Sequence, residues 1–381
     1  MRAYVKKQGR IASIVSAMMI AVLFIGLIPT ALAADALPFS DVPENHTYYD
    51  DICWAVENGI VNGYNGKFDP DERVTVLQFY TMLSRSIPES TEDTNDYGAF
   101  KDSMLYHLRR AVHNGWTGRN GVEIELQQDR NISAGRAWNY ALTANGTQVY
   151  TNRLYEGSYD TAKDGMRAAK ELGLAAGDAD ASEIITRAQA VSIIRAAHLN
   201  TKAMSEPPIV TEMKGAIQNL PQSVFNDFYA DMAEVPEPIR KAFIADGWKI
   251  SFDTDKINAY SEKSGIYGIG GMTVYSEKTI YLATANSLLH EMGHYYQEKL
   301  KASGMDADVY STFETFRSEE KWSGSLYASN QQTDGAEFFA DAFWYYVEHG
   351  TVRADPTGKD KEDPLGSQIY FDLLAAQGWI C

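Results

Sequence analysis

The sequence predicts an exported, multidomain protein: an all-α module of three helical repeats, then an α+β domain built around a helix carrying two histidines. Three observations predict it. A helix–loop–helix pattern recurs before residue 200, with Gly59, Gly115 and Gly173 ending its first helices at intervals of 56 and 58 residues. The stretch "SLLHEMGHYYQEKL" has the apolar spacing of an amphipathic helix, with Leu289, Gly293, Tyr296 and Leu300 on one stripe. Just before it, "GMTVYSEKTIYLA" reads as a hairpin, with strands Met272–Tyr275 and Thr279–Leu282 around Ser276, Glu277 and Lys278.

Residues 1–33 read as a secretory signal peptide. Arg2, Lys6, Lys7 and Arg10 precede an apolar run from Ile11 to about Leu27, and Ala31-Leu32-Ala33 offers a cleavage site. No later segment is long and apolar enough to span a bilayer, so no membrane span is expected once the leader is cut. The remaining chain would carry a net charge of −21, against −17 for the whole sequence. Such a surface repels phosphate backbones and anionic lipid, which argues against nucleic-acid partners. The two cysteines, Cys53 and Cys381, are too few for a disulfide framework, and nothing in the sequence pairs them.

The repeats occupy residues 36–200, in units of about 36–88, 96–146 and 155–200. Each has a first helix, a glycine stop, a loop, and a second amphipathic helix beginning at Val74, Ile132 or Ile185. The opening "FSDVPENHTYYDDICWAVENGIVNGYNGKFDPDERVT" and the "ITRAQA" of the third unit resemble the S-layer homology (SLH) repeat. That resemblance implies a three-unit module binding a secondary cell-wall polysaccharide, at the cell surface of a Gram-positive-type bacterium. It also implies that the arginine of the ITRA-type motif contacts the polymer. Only Arg187 fills that place, since the first unit reads "VTVLQ" and the second "ISAGR".

Residues 201–210 read as a polar linker stiffened by Pro207-Pro208. The second domain, 211–381, opens on "TEMKGAIQNLPQSVFNDFYADM", read as helical, and continues through a strand-rich middle. The glycines of "GIYGIGG" lack the Lys-Ser/Thr of a phosphate loop and read as a flexible connection.

His290-Glu291-x-x-His294 places two imidazoles one helical turn apart on one face, the spacing of a zinc-binding pair with an adjacent general base. A catalytic zinc needs a third protein ligand and one open position. The metzincin arrangement is excluded, because its places are filled by Gln297 and Leu300. Two glutamates remain: Glu314, 20 residues after His294, and Glu337, 43 residues after it. Glu337 is preferred, because Asp341 follows one turn later and can hydrogen-bond a ligand histidine from behind. Position 318, one turn beyond Glu314, is a serine.

Over residues 205–381 the chain resembles the lethal-factor-type zinc metallopeptidases, which include the Pro-Pro endopeptidases. Four segments carry the likeness in order: "GGMTVYSEKTIYLA", "LLHEMGHYYQ", "GAEFFADAF" and "PLGSQIYFDLL". The resemblance implies a zincin-like (gluzincin) α+β fold, a Zn²⁺ cofactor, a peptide or protein substrate, and a third ligand at Glu337. It also implies a catalytic tyrosine before that glutamate, which falls on Tyr327 in the loop "SLYASNQQTDG". In this reading Glu291 takes a proton from the attacking water and returns it to the leaving amine, while Tyr327 stabilises the oxyanion. The rival expectation is a non-catalytic wall-binding protein with a structural or vestigial zinc site. A polysaccharide hydrolase would need a positioned carboxylate pair, and none stands out among 51 acidic residues.

Overall fold

The computed structural model describes residues 37, 39–89, 103–116, 129–151, 154, 160–319, 334–352 and 365–379. Residues 1–33, read above as a signal peptide, lie outside these described residues, as do Tyr327 and Cys381. The chain is mostly helical with one small mixed sheet. Among the described residues, six helices belong to the repeats: α1 (Tyr49–Glu57), α2 (Val76–Ser86), α3 (Met104–His113), α4 (Ala134–Ala144), α5 (Thr161–Glu171) and α6 (Arg187–His198). Gly59, Gly115 and Gly173 adopt φ of 67°, 70° and 74°. In that left-handed region a glycine ends a helix without the penalty a Cβ brings.

The second helices begin two residues later than the pattern predicts, for a structural reason. Val74, Ile132 and Ile185 are buried and spend their backbone groups between units. Ile132 N donates to Val74 O, Ile185 N to Ile132 O and Val74 N to Ile185 O, at 2.9, 3.2 and 3.3 Å. A second triad runs in the opposite sense around the units: Val76 N to Arg130 O, Ala134 N to Glu183 O, and Arg187 N to Glu72 O. The three units therefore close into a ring with approximate threefold order. Thr75 and Thr186 then cap α2 and α6, each in a reciprocal box with Gln78 or Gln189.

Helix packing follows the same cycle. Each unit's second helix lies against the next unit's first, α2 on α3 and α4 on α5, and α6 returns to α1. At the α2–α3 seam the buried Arg110 guanidinium donates to the carbonyls of Ser84, Ile87 and Pro88. There His107 Nδ1 lies 3.0 Å from Ser84 Oγ. The α6–α1 seam carries Arg195 on Asp51 at 2.7 Å.

The segment read as a linker is not free. Met204, Ile209 and Val210 are buried, and α7 (Pro208–Met213) starts inside it, with proline at its first position. The segment expected to be helical, "TEMKGAIQNLPQSVFNDFYADM", is broken in the middle. A 3-10 turn follows α7, then β1 (Ile217–Gln218), and only then, after a second turn, α8 (Phe225–Glu234). Asn219 has a φ of 54° and Pro221 has no N–H to donate, so a continuous helix cannot run through them.

After α9 (Glu237–Ala245) come β2 (Lys249–Phe252), α10 (Thr254–Ser264), β3 (Gly271–Val274) and β4 (Thr279–Leu282). The sheet order is β1-β2-β4-β3, with β1, β2 and β4 parallel and β3 antiparallel on the edge. The β3–β4 hairpin is where it was expected, but its first strand starts and ends one residue earlier, because Tyr275 opens a 3-10 turn that ends on left-handed Lys278. The remaining helices are α11 (Leu288–Ser303), α12 (Val309–Glu319), α13 (Gly335–His349) and α14 (Leu365–Ala376). Leu289, Tyr296 and Leu300 face the core as the periodicity requires, and Gly304 ends α11 at φ 75°. Ser287 occupies the N-cap of α11, but its side chain makes no capping bond.

The two parts of the chain touch. Asn226 on α8 donates to Val149 O at 2.9 Å and accepts from Thr151 N at 3.1 Å, while Phe225 packs on Tyr150. Among the described residues no helix is long and apolar enough to cross a membrane.

Candidate metal centre and repeat module

Two helices build the centre. On α11, His290 and His294 share a face. Its neighbour α13 starts at Asp334, whose carboxylate caps the N–H groups of Ala336 and Glu337 at 2.9 and 3.0 Å. That cap places Glu337 in the first turn and Asp341 one turn further in. Gly293 lets the helices approach, because a Cβ there would stand 2.8 Å from Ala340 Cα.

The structure brings together His290, His294, Glu337 and Asp341, and the first three form a possible metal-binding group. His290 Nε2 lies 3.1 Å from His294 Nε2 and 3.3 Å from Glu337 Oε2, and His294 Nε2 lies 3.5 Å from Glu337 Oε1. Ligands about 2.0–2.1 Å from a tetrahedral zinc are separated by about 3.3–3.4 Å. The donor set and its spacing therefore fit that ion. Behind His290, Asp341 Oδ1 meets Nδ1 at 2.7 Å. This contact holds the ring so that Nε2 faces the other two donors. Burial disfavours a charged His290, but hydrogen bonding to Asp341 and Glu337 outweighs it and pushes its pKa up to about 10. Hydrogen bonds from the two histidines hold Glu337 well below the usual carboxylate range.

Glu314 is engaged elsewhere. Its carboxylate pairs with Arg317 on the same helix, which lowers its pKa. Glu291, next to His290, is 5 % exposed and turns toward the sheet. Thr273 Oγ1 donates to its Oε2 at 2.6 Å. Sequence reasoning missed Thr273, since only the packing of β3 on α11 joins residues 18 positions apart. It also missed Tyr275, whose hydroxyl reaches the His294 carbonyl at 3.5 Å.

Arg187 stands at the first position of α6, but its side chain crosses to the first unit. It donates to Asn62 O at 2.8 Å and lies over the Phe68 ring at 4.8 Å. Burial there lowers its pKa, and its Nε is enclosed with no hydrogen-bond partner among the described residues. The third unit thus supplies its arginine to the loop of the first. That loop decides the comparison with known families. Residues 38–75 match the S-layer homology domain. The match indicates a cell-surface, S-layer-associated protein, and domains of this kind bind cell-wall polysaccharide. No curated protein matches the chain.

Proposed function

We propose that the chain is a zinc-dependent endopeptidase of the zincin type, exported and held at a cell wall by its SLH module. One observation carries the catalytic half: two imidazoles and a carboxylate converge at tetrahedral spacing, beside a buried glutamate that is not a ligand. A structural metal site has no use for that glutamate. His290, His294 and Glu337 would hold the zinc, with Asp341 fixing the His290 ring. A zinc bound there would supply Lewis acidity and lower the pKa of a water to about 7. Glu291 would take the proton from the attacking water and return it to the leaving amine. Tyr327 is the proposed donor to the oxyanion. β3 is the edge strand among the described residues and packs on α11 beside the centre, where an extended peptide would add as a further strand.

The anchoring half has support of its own. Arg187 reaches from the third unit to the loop of the first, within the residues that match the SLH domain, and it is the residue on which the resemblance to that repeat puts the polymer contact. The test of the catalytic half is cleavage profiling of a peptide library by the full exported chain loaded with zinc, alongside Glu291→Ala. Cleavage abolished by that change supports a peptidase. A wild-type chain that binds zinc and cuts nothing returns the protein to a wall-binding role.

A further inference from the structure

We propose that Thr273, on the sheet edge, is the positioning residue for the Glu291 carboxylate; the inference deepens the hydrolytic reading above and rests on it. A strand shows alternate residues to one face, and β3 shows Gly271 and Thr273 to α11. The two residues do complementary things to one side chain. The Thr273 hydroxyl donates to Glu291 Oε2 at 2.6 Å, the short contact expected of a hydroxyl on a carboxylate, and lies 3.4 Å from the Glu291 carbonyl. At Gly271, a Cβ would stand 2.6 Å from Glu291 Cγ and 2.7 Å from Oε1. Any larger residue would displace the carboxylate.

The strand therefore clears a slot for Glu291 with one residue and holds it there with the next but one. Glutamate has three side-chain torsions, and a base that must meet water at one angle cannot leave them free. Oε2 is committed to Thr273. Oε1 makes no protein hydrogen bond among the described residues, which leaves it to accept the proton.

The experiment uses the full zinc-loaded chain and the variants Thr273→Val, Thr273→Ser and Gly271→Ala. With a peptide that the wild type cleaves, Thr273→Val is expected to lower kcat about 10- to 100-fold, the loss of one hydrogen bond to a charged group. KM and zinc content should hold, and Thr273→Ser should recover to within about threefold. Gly271→Ala should lower kcat with zinc retained. A second measurement needs no turnover. Acetohydroxamate chelates zinc and passes its proton toward the neighbouring base, so its Kd by calorimetry reports the carboxylate's position. Thr273→Val should weaken it about tenfold and Thr273→Ser should not.

Unchanged kcat and unchanged acetohydroxamate affinity in Thr273→Val would overturn the proposal while leaving the peptidase intact. Loss of zinc in Thr273→Val would overturn it too, because the residue would then be acting on the metal site. If the wild type cleaves no peptide but acetohydroxamate binding still depends on Thr273, the positioning stands and the peptidase reading falls.

Discussion

At Gly293 the backbone of α11 comes so close to α13 that a methyl group would stand 2.8 Å from Ala340 Cα and 3.0 Å from Ala340 O. The proposed metal ligands sit on either side of this contact, so the separation of the helices sets the separation of the donors. Gly293→Ala is expected to push the helices apart, cost about 1–3 kcal/mol of stability, and weaken zinc binding at least about tenfold. Melting curves and competition with a chromophoric chelator measure the two effects. Removing a ligand is more direct: His290→Ala and Glu337→Ala should lose zinc, while Glu291→Gln keeps it. Glu314→Ala should keep it as well, since Arg317 already engages that carboxylate. Metal analysis showing full zinc in Glu337→Ala would remove that residue from the proposed site. For Tyr327→Phe we expect a loss of about 10²-fold in kcat with KM and zinc unchanged, the pattern of a group that acts in the transition state. Near-normal kcat would exclude the role.

Between elements, the seam of α2 and α3 makes the repeat module sensitive to acid. Burial and the neighbouring guanidinium groups of Arg85 and Arg110 lower the His107 pKa to about 4 from its ordinary 6.5. The unfolded chain therefore takes up this proton first as pH falls. Stability is fully present above about 6.5, is lost as pH drops toward 4, and levels off below; the full effect is about 3 kcal/mol. The fall in Tm between pH 7 and pH 5 should shrink in His107→Gln, and an unchanged fall would assign it to other groups. What the sequence showed at this scale was whatever is periodic: the glycine stops, the face of α11, the pairing of Glu337 with Asp341, and the β3–β4 hairpin. Contacts made between elements were hidden. Thr273 looks like any strand residue until β3 is laid on α11. The two-residue error at Val74, Ile132 and Ile185 arose because apolar spacing marks what is buried, and these residues are buried by the ring and not by their own helices. In residues 201–210, polar letters around Met204 and Ile209 hid two anchors of the packed core.

For the whole molecule, the repeat module is a closed cycle, and the cycle explains why Arg187 belongs to two units at once. Arg187→Ala is expected to reduce co-sedimentation with purified wall carrying its secondary polymer and to lower the Tm of the module, because the change removes a cross-unit bond as well as a donor. Binding that persists on walls stripped of the polymer would point to another ligand. The closure also sets how the module carries mechanical load. In an open stack of repeats the end unit has a single neighbour, so a pull peels units away one after another. Here tension from the C-terminal part arrives through α6, and α6 lies against both α1 and α4. No unit can be drawn off without parting two seams, so the force is shared around the ring. A single chain stretched from its C-terminal end should hold until all three units give way together, in one rupture instead of a staircase of three.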